Sequence, residues 1–154
     1  MSDLAFRAAL LVQLFSTFAM TGLIWLVQLV HYPLFDRVAA ERFVQFETDH
    51  SNGITWIVLP LMTAELGTAI WLAFGRAASP DRWLWYAGLA MVIGLWLCTA
   101  LLSVPEHNRL MQGFDPDAHR RLVATNWPRT ILWTARSGLL LWVLWTWTAT
   151  ATDR

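Results

Sequence analysis

The chain has 154 residues, 56% of them hydrophobic and 14% charged, with eleven tryptophans and a formal net charge of zero. That composition is not that of a soluble domain of this size, and without a lysine or a basic block it points away from nucleic acid as a partner. The single cysteine, Cys98, lies inside an apolar run and reads as a small core residue, which excludes an intramolecular disulfide and a zinc-type cysteine cluster.

The first apolar run, Leu4 to Val30, exceeds the roughly 7–15 residues of a signal-peptide core and lacks a small-residue cleavage pattern, so it is expected to stay as a membrane helix over about residues 5–31. Thr21, Trp25, Gln28 and Tyr32 recur at helical spacing and mark the side that faces protein. Pro33 biases Tyr32 away from helical angles, so this helix should end or bend at His31-Tyr32-Pro33, with Tyr32 at headgroup level. Phe35, Val38, Phe43 and Phe46 then predict a short amphipathic helix on the membrane surface, broken at Ser51-Asn52-Gly53.

A second span is expected over 54–74, kinked at Pro60 and carrying Glu65 near its middle. Gly75 to Arg82 reads as a tight polar turn, and Trp83, Trp85 and Tyr86 open a third span over 83–104 as an interfacial belt. Pro105 should end it. Asp115-Pro116 then has the pattern of a helix start, an N-cap aspartate followed by proline, for a second short surface helix. The fourth span, 128–148, begins at Pro128 and ends in Trp142, Trp145 and Trp147.

These elements give an all-α chain of one domain: a four-helix transmembrane bundle with short amphipathic interfacial helices on one side. Counting crossings places both termini and the Gly75 to Arg82 turn on one face, which the arginines flanking that short turn assign to the cytoplasm. The lipid bilayer is then the first partner, and a second copy of the chain is left open.

The same count gathers His31, His50, His107, His119, Asn108, Asn126 and Arg129 at the other end of the bundle. His31, His107 and Glu65 are candidate bases there, with Arg129 and Arg136 as fixed charges for a developing oxyanion. Gln28, Tyr32, Asn108, Asn126 and Trp133 are candidate substrate contacts. His31, His50 and His107 could together ligate copper, iron or zinc, although their separations match no local ligand motif. The alternative is that there is no cofactor. Glu47 and His50 have the Glu-x-x-His spacing of di-iron bundles, but only one copy is present. His119, on the expected surface helix, should face solvent.

Asn126, Arg129, Trp133 and Arg136 fall on one helix face. An arginine at mid-bilayer depth costs roughly 2.5–3.5 kcal/mol, so Arg136 should turn inward. Glu65 is the only other ionisable residue at comparable depth, and counting from the helix starts brings the two to within about one turn, which a long arginine side chain can bridge.

The segments VHYPLF (Val30 to Phe35), VPEHNRL (Val104 to Leu110) and NWPRTILWTAR (Asn126 to Arg136), with Pro60 and Glu65, resemble the anthrone oxygenase-like family of small four-helix membrane proteins. That family has a proline-asparagine element after its third helix and a Trp/Asn-x-x-Arg element opening its fourth; the histidine in VPEHN departs from it. The resemblance implies a membrane-embedded oxygenase acting on an apolar aromatic or lipid-like substrate, in which a base removes an acidic C–H proton and dioxygen attacks the carbanion. The residues also allow a non-enzymatic reading, a proton or small-solute path or an assembly subunit with a structural Glu65–Arg136 pair.

Overall fold

The computed structural model describes residues 3–76, 78–79 and 81–152. Among these the chain is all-helical. α1 spans Asp3–Leu26, α2 Ala40–Gly75, α3 Arg82–Cys98, α4 Val104–Leu110 and α5 Pro116–Thr152. α1, α2, α3 and α5 form an antiparallel ring in which each packs on two neighbours, α1 on α2 and α5, α3 on α2 and α5. The end of α2 therefore lies beside the start of α1, where the Arg76 guanidinium stacks on the Phe6 ring at 4.1 Å. All four histidines lie at the opposite end.

Polarity is arranged outward-apolar. Phe15, Leu29, Trp56, Ile57, Leu101, Ile131 and Trp145 are exposed, whereas Gln13, Thr17, Glu65, Asn126, Arg129 and Arg136 are buried. A water-soluble helix shows the reverse. The three helical runs Leu4–Arg37, Ala40–Gly75 and Arg82–Leu110 are long and apolar enough to cross a membrane. α5 is equally long, at 37 residues, but carries Arg129 and Arg136 within its hydrophobic half.

The two predicted surface helices are not separate elements. Instead, α2 runs through Ser51-Asn52-Gly53 without a break for 36 residues, about 54 Å at 1.5 Å per residue. Glycine within a helix costs only about 1 kcal/mol, and the polar side chains here bond within the helix: Ser51 donates to Glu47 Oε1 and Thr55 to the Ser51 carbonyl. Likewise α5 starts at Pro116, capped by the Asp115 carboxylate on the Asp117 and Ala118 amides, and continues past Pro128. In the turn before Pro128, Gln28, from the segment that follows α1, reaches across to donate to the Val123 carbonyl. What lies on the histidine side is thus the N-terminal part of two long helices, together with α4 and the turn at Gly113, whose φ of 146° only glycine adopts readily.

The expected ends at Pro33 and Pro105 are also modified. Before each proline the helix widens into a single π turn, Val27–His31 and Thr99–Ser103, and the residue just ahead of the proline donates five back, Tyr32 N–H to the Val27 carbonyl and Val104 N–H to the Thr99 carbonyl. A proline ring collides with the carbonyl four residues earlier, and the wider turn relieves that collision. After the first, the chain tightens into a 3-10 turn, Tyr32–Arg37; after the second it resumes as α4.

Candidate functional site

The two π turns frame a cleft. Its volume is about 450 Å³, within the roughly 300–1,000 Å³ of small-molecule sites. Met20, Ile24 and Val27 of the first helical run, Val58 and Met62 of α2, and Trp96 of α3 make its apolar walls. Tyr32, Ser103, His107, Asn108 and Arg129 line its polar end. α2 packs on α3 below and on α4 above, but the Thr99–Ser103 turn between them stands clear of α2. The cleft therefore opens sideways, past the exposed Leu59, Ala100 and Val104 on its rim.

A buried relay closes the polar end. The Tyr32 hydroxyl lies 2.9 Å from His107 Nε2, and His107 Nδ1 lies 2.5 Å from Oε1 of the fully buried Glu47. Glu47 as a carboxylate can only accept, so Nδ1 carries the proton and Nε2 accepts from the tyrosine. Each member is fixed by a different element: Tyr32 by the 3-10 turn, where His119 Nε2–H donates to its carbonyl at 2.8 Å, His107 by α4, and Glu47 by the N-terminal part of α2. His119 is thus half-buried and structural, not solvent-facing.

Burial raises the Tyr32 pKa above its usual value, and the charge of the nearby Arg129 partly offsets that rise. Arg129 is only 5% exposed; its Nη1 donates to Ser103 Oγ at 2.9 Å and Asn126 Oδ1 at 3.1 Å, and its face rests 5.4 Å from the Trp133 ring. Asn126 Nδ2 in turn donates to Gln28 Oε1 at 3.0 Å. Gln28, Asn126 and Trp133, expected to touch substrate, instead stand behind Arg129 and orient it. Tyr32 and Asn108 do line the cleft.

The sequence-level metal set does not assemble. His31 Nε2 and His50 Nδ1 face one another at 2.9 Å, while both nitrogens of His107 are engaged by Tyr32 and Glu47. The three rings therefore present no shared point to a copper or iron ion, and among the described residues no three His, Cys, Asp or Glu side chains are grouped to hold one. Nor does His31 line the cleft as a base. It packs edge-on against Phe35, with ring centres 5.3 Å apart.

Glu65 and Arg136 form a second, separate cluster deeper in the bundle. Arg136 Nε donates to Glu65 Oε1 at 2.8 Å, Trp133 Nε1 to Oε2 at 3.1 Å and Thr17 Oγ1 to Oε1 at 2.6 Å. Arg136 Nη1 also donates to the Gly88 carbonyl, and a Cβ on Gly88 would sit 3.0 Å from that nitrogen. Gln13 joins Thr17 to Thr68. All four long helices contribute, and neither charge reaches the cleft. Glu65 and Arg136, expected as base and fixed charge, thus pair with each other away from the cleft.

Two residues of this site, Ser103 on the cleft wall and Glu47 behind His107, escaped the sequence reading. Glu47 was visible only as half of a metal-type spacing with His50, and Ser103 only as a serine inside the expected third span. Glu47 and His107 are 60 positions apart, so no local pattern joins them. Comparisons with family models, with curated proteins and with solved structures find no match.

Proposed function

We propose that the protein is a multi-pass membrane enzyme that takes an apolar, lipid-soluble substrate through the side of the bundle and abstracts an acidic C–H proton from it, the first step of a cofactor-free oxygenation. The observation that carries this reading is the Tyr32–His107–Glu47 relay at the polar end of an apolar cleft, with Arg129 beside the tyrosine. At rest the two buried charges, Glu47 and Arg129, stand apart, with His107 and Tyr32 between them. Shifting the phenol proton to His107 converts that arrangement into two adjacent ion pairs, phenolate with guanidinium and imidazolium with carboxylate. Adjacent opposite charges in a low-dielectric site favour each other strongly, so the relay suits Tyr32 to act as a general base.

The phenolate oxygen then accepts the substrate C–H proton, and the C–H electron pair stays on carbon as a carbanion delocalised onto a neighbouring carbonyl oxygen, which Arg129 and Ser103 can stabilise. Dioxygen takes up that electron pair to give a peroxide, which gains a proton and loses water to leave a ketone. The sum is one CH₂ group plus one O₂ giving one C=O plus one water. The likeness of VHYPLF, VPEHNRL and NWPRTILWTAR to anthrone oxygenase-like proteins suits this chemistry, since Tyr32, His107 and Arg129 fall one in each segment.

In the membrane, we infer four crossing helices with the termini and the residues 76–81 turn on the cytoplasmic side. The apolar outward face of α5, with Ile131, Leu141 and Trp145 exposed, supports its counting as the fourth span. The Glu65–Arg136 cluster supports a structural role for that pair within the enzyme, and a continuous solute path is less well served, because the fully buried Trp133 stands between it and Arg129.

Oxygen uptake by detergent-purified protein given anthrone, an acidic tricyclic ketone, tests the reading. Wild type should consume oxygen and the Tyr32→Phe variant should not. Uptake no faster than the detergent blank, or uptake unchanged in Tyr32→Phe, would remove the proposal.

A further inference from the structure

α5 carries two buried arginines seven residues apart on one face, and the fold treats them differently. Arg136, 2% exposed, is matched by the Glu65 carboxylate at 2.8 Å. Arg129, 5% exposed, makes no ion pair among the described residues. Its hydrogen-bond acceptors are the neutral oxygens of Ser103 and Asn126, and its Nε is buried without a partner. Trp133 supplies a ring face but no negative charge. The two buried carboxylates at this end are engaged elsewhere, Glu47 by His107 on the far side of Tyr32 and Glu106 by Arg109 and Arg121. A buried charge is costly unless paired, and Arg129 lines the polar end of a cleft whose remaining walls are mostly apolar.

We infer that the cleft is built for an amphipathic organic anion: an apolar body seated between α2 and α3, and a single oxyanion, an enolate, a phenolate or a carboxylate, on Arg129 and Ser103. Ser103 is available to such an oxygen because its Oγ accepts from Arg129 and its own hydroxyl hydrogen is then free to donate. The planar guanidinium is fixed on one side by Asn126, so it presents a set direction to the ligand and not a mobile point charge. The sideways opening selects molecules soluble in hydrocarbon, which excludes small inorganic anions as the intended occupant. This inference rests on the cleft being a ligand site, as proposed above, but does not need the proton relay, since a preformed anion requires no base.

Binding of 2-hydroxy-1,4-naphthoquinone, which is ionised at neutral pH, measured against its methyl ether 2-methoxy-1,4-naphthoquinone, separates the anion from the apolar body. In detergent at neutral pH, wild type should bind the hydroxy compound at least tenfold more tightly than the ether, with the absorbance of the bound anion retained. Arg129→Gln should reduce that preference to about twofold or less, and Arg129→Lys should keep most of it. Equal binding of the two compounds by wild type would overturn the inference without any variant, as would a preference that survives in folded Arg129→Gln. Anion-selective binding without oxygen uptake from anthrone would leave this site standing and remove the oxygenase; oxygen uptake with no anion preference would do the opposite.

Discussion

Arg136 Nε donates to Glu65 Oε1 at 2.8 Å between two side chains that are 2% and 1% exposed, so the deepest charges of the second and fourth long helices neutralise each other. Breaking such a pair by removing one partner typically costs about 3–5 kcal/mol, because the other charge is left buried alone. Glu65→Gln and Arg136→Met should each lower the detergent melting temperature clearly, and the double variant should regain much of the loss. Simple addition of the two losses in thermal melts would show that the residues are not coupled.

The relay predicts a different pattern. Tyr32→Phe removes the group that meets substrate, whereas His107→Gln and Glu47→Gln remove the means of moving its proton. General-base contributions are typically about 10²–10⁴-fold, so all three variants should lose at least about 10²-fold in kcat. Glu47→Gln should also shift the pH–rate profile. Rates within a few-fold of wild type in any folded member of the set would mean that proton transfer does not run through these residues.

Ala100 stands exposed on the rim where the Thr99–Ser103 turn clears α2. A tryptophan there should obstruct the opening without touching the bundle interior. Ala100→Trp is expected to retain wild-type thermal stability while slowing the association of the naphthoquinone probe at least tenfold. Unchanged association kinetics would place the route into the cleft elsewhere.

Asp115 caps α5, and the Ala118 and then the Asp117 amide hold its carboxyl below the usual carboxylate range. The folded value is depressed, so the stability it contributes is fully present above the unfolded value near 3.8 and is lost as pH falls through the lower folded value. Melts of wild type and Asp115→Asn, which keeps an acceptor but cannot titrate, should converge as the pH is lowered past that window. A constant gap down to the lowest pH would dissociate the cap from the acid response.

Topology is tested by single cysteines at Arg76 and Asp117 in a Cys98→Ser background. In sealed vesicles the two should label from opposite sides, with position 76 on the side of the termini. Labelling of both from one side would rule out four crossings.

The sequence by itself determined the class of this protein. Hydrophobic runs near bilayer length, interfacial tryptophans and interruptions at proline depend on local composition, and they yield an all-helical chain with long apolar helices and a polar interior. It also brought Glu65 opposite Arg136, because two lone charges at matching depth in antiparallel helices leave each other as the available partner. It misplaced the helix boundaries at Gly53 and Pro128, where a glycine or proline cost of about 1–3 kcal/mol is outweighed by packing of the long helices. What only the tertiary structure decided is the site. Four histidines at one end of the bundle are compatible with a metal centre, but the direction of each ring is set by contacts between distant segments. Those contacts turn His31 toward His50, join His107 to Tyr32 and Glu47, and leave Arg129 without a counter-charge beside an open cleft. Spacing along a chain carries residue identity and helix face, whereas a hydrogen-bond relay depends on side-chain directions across helices, which are fixed only when the helices have packed.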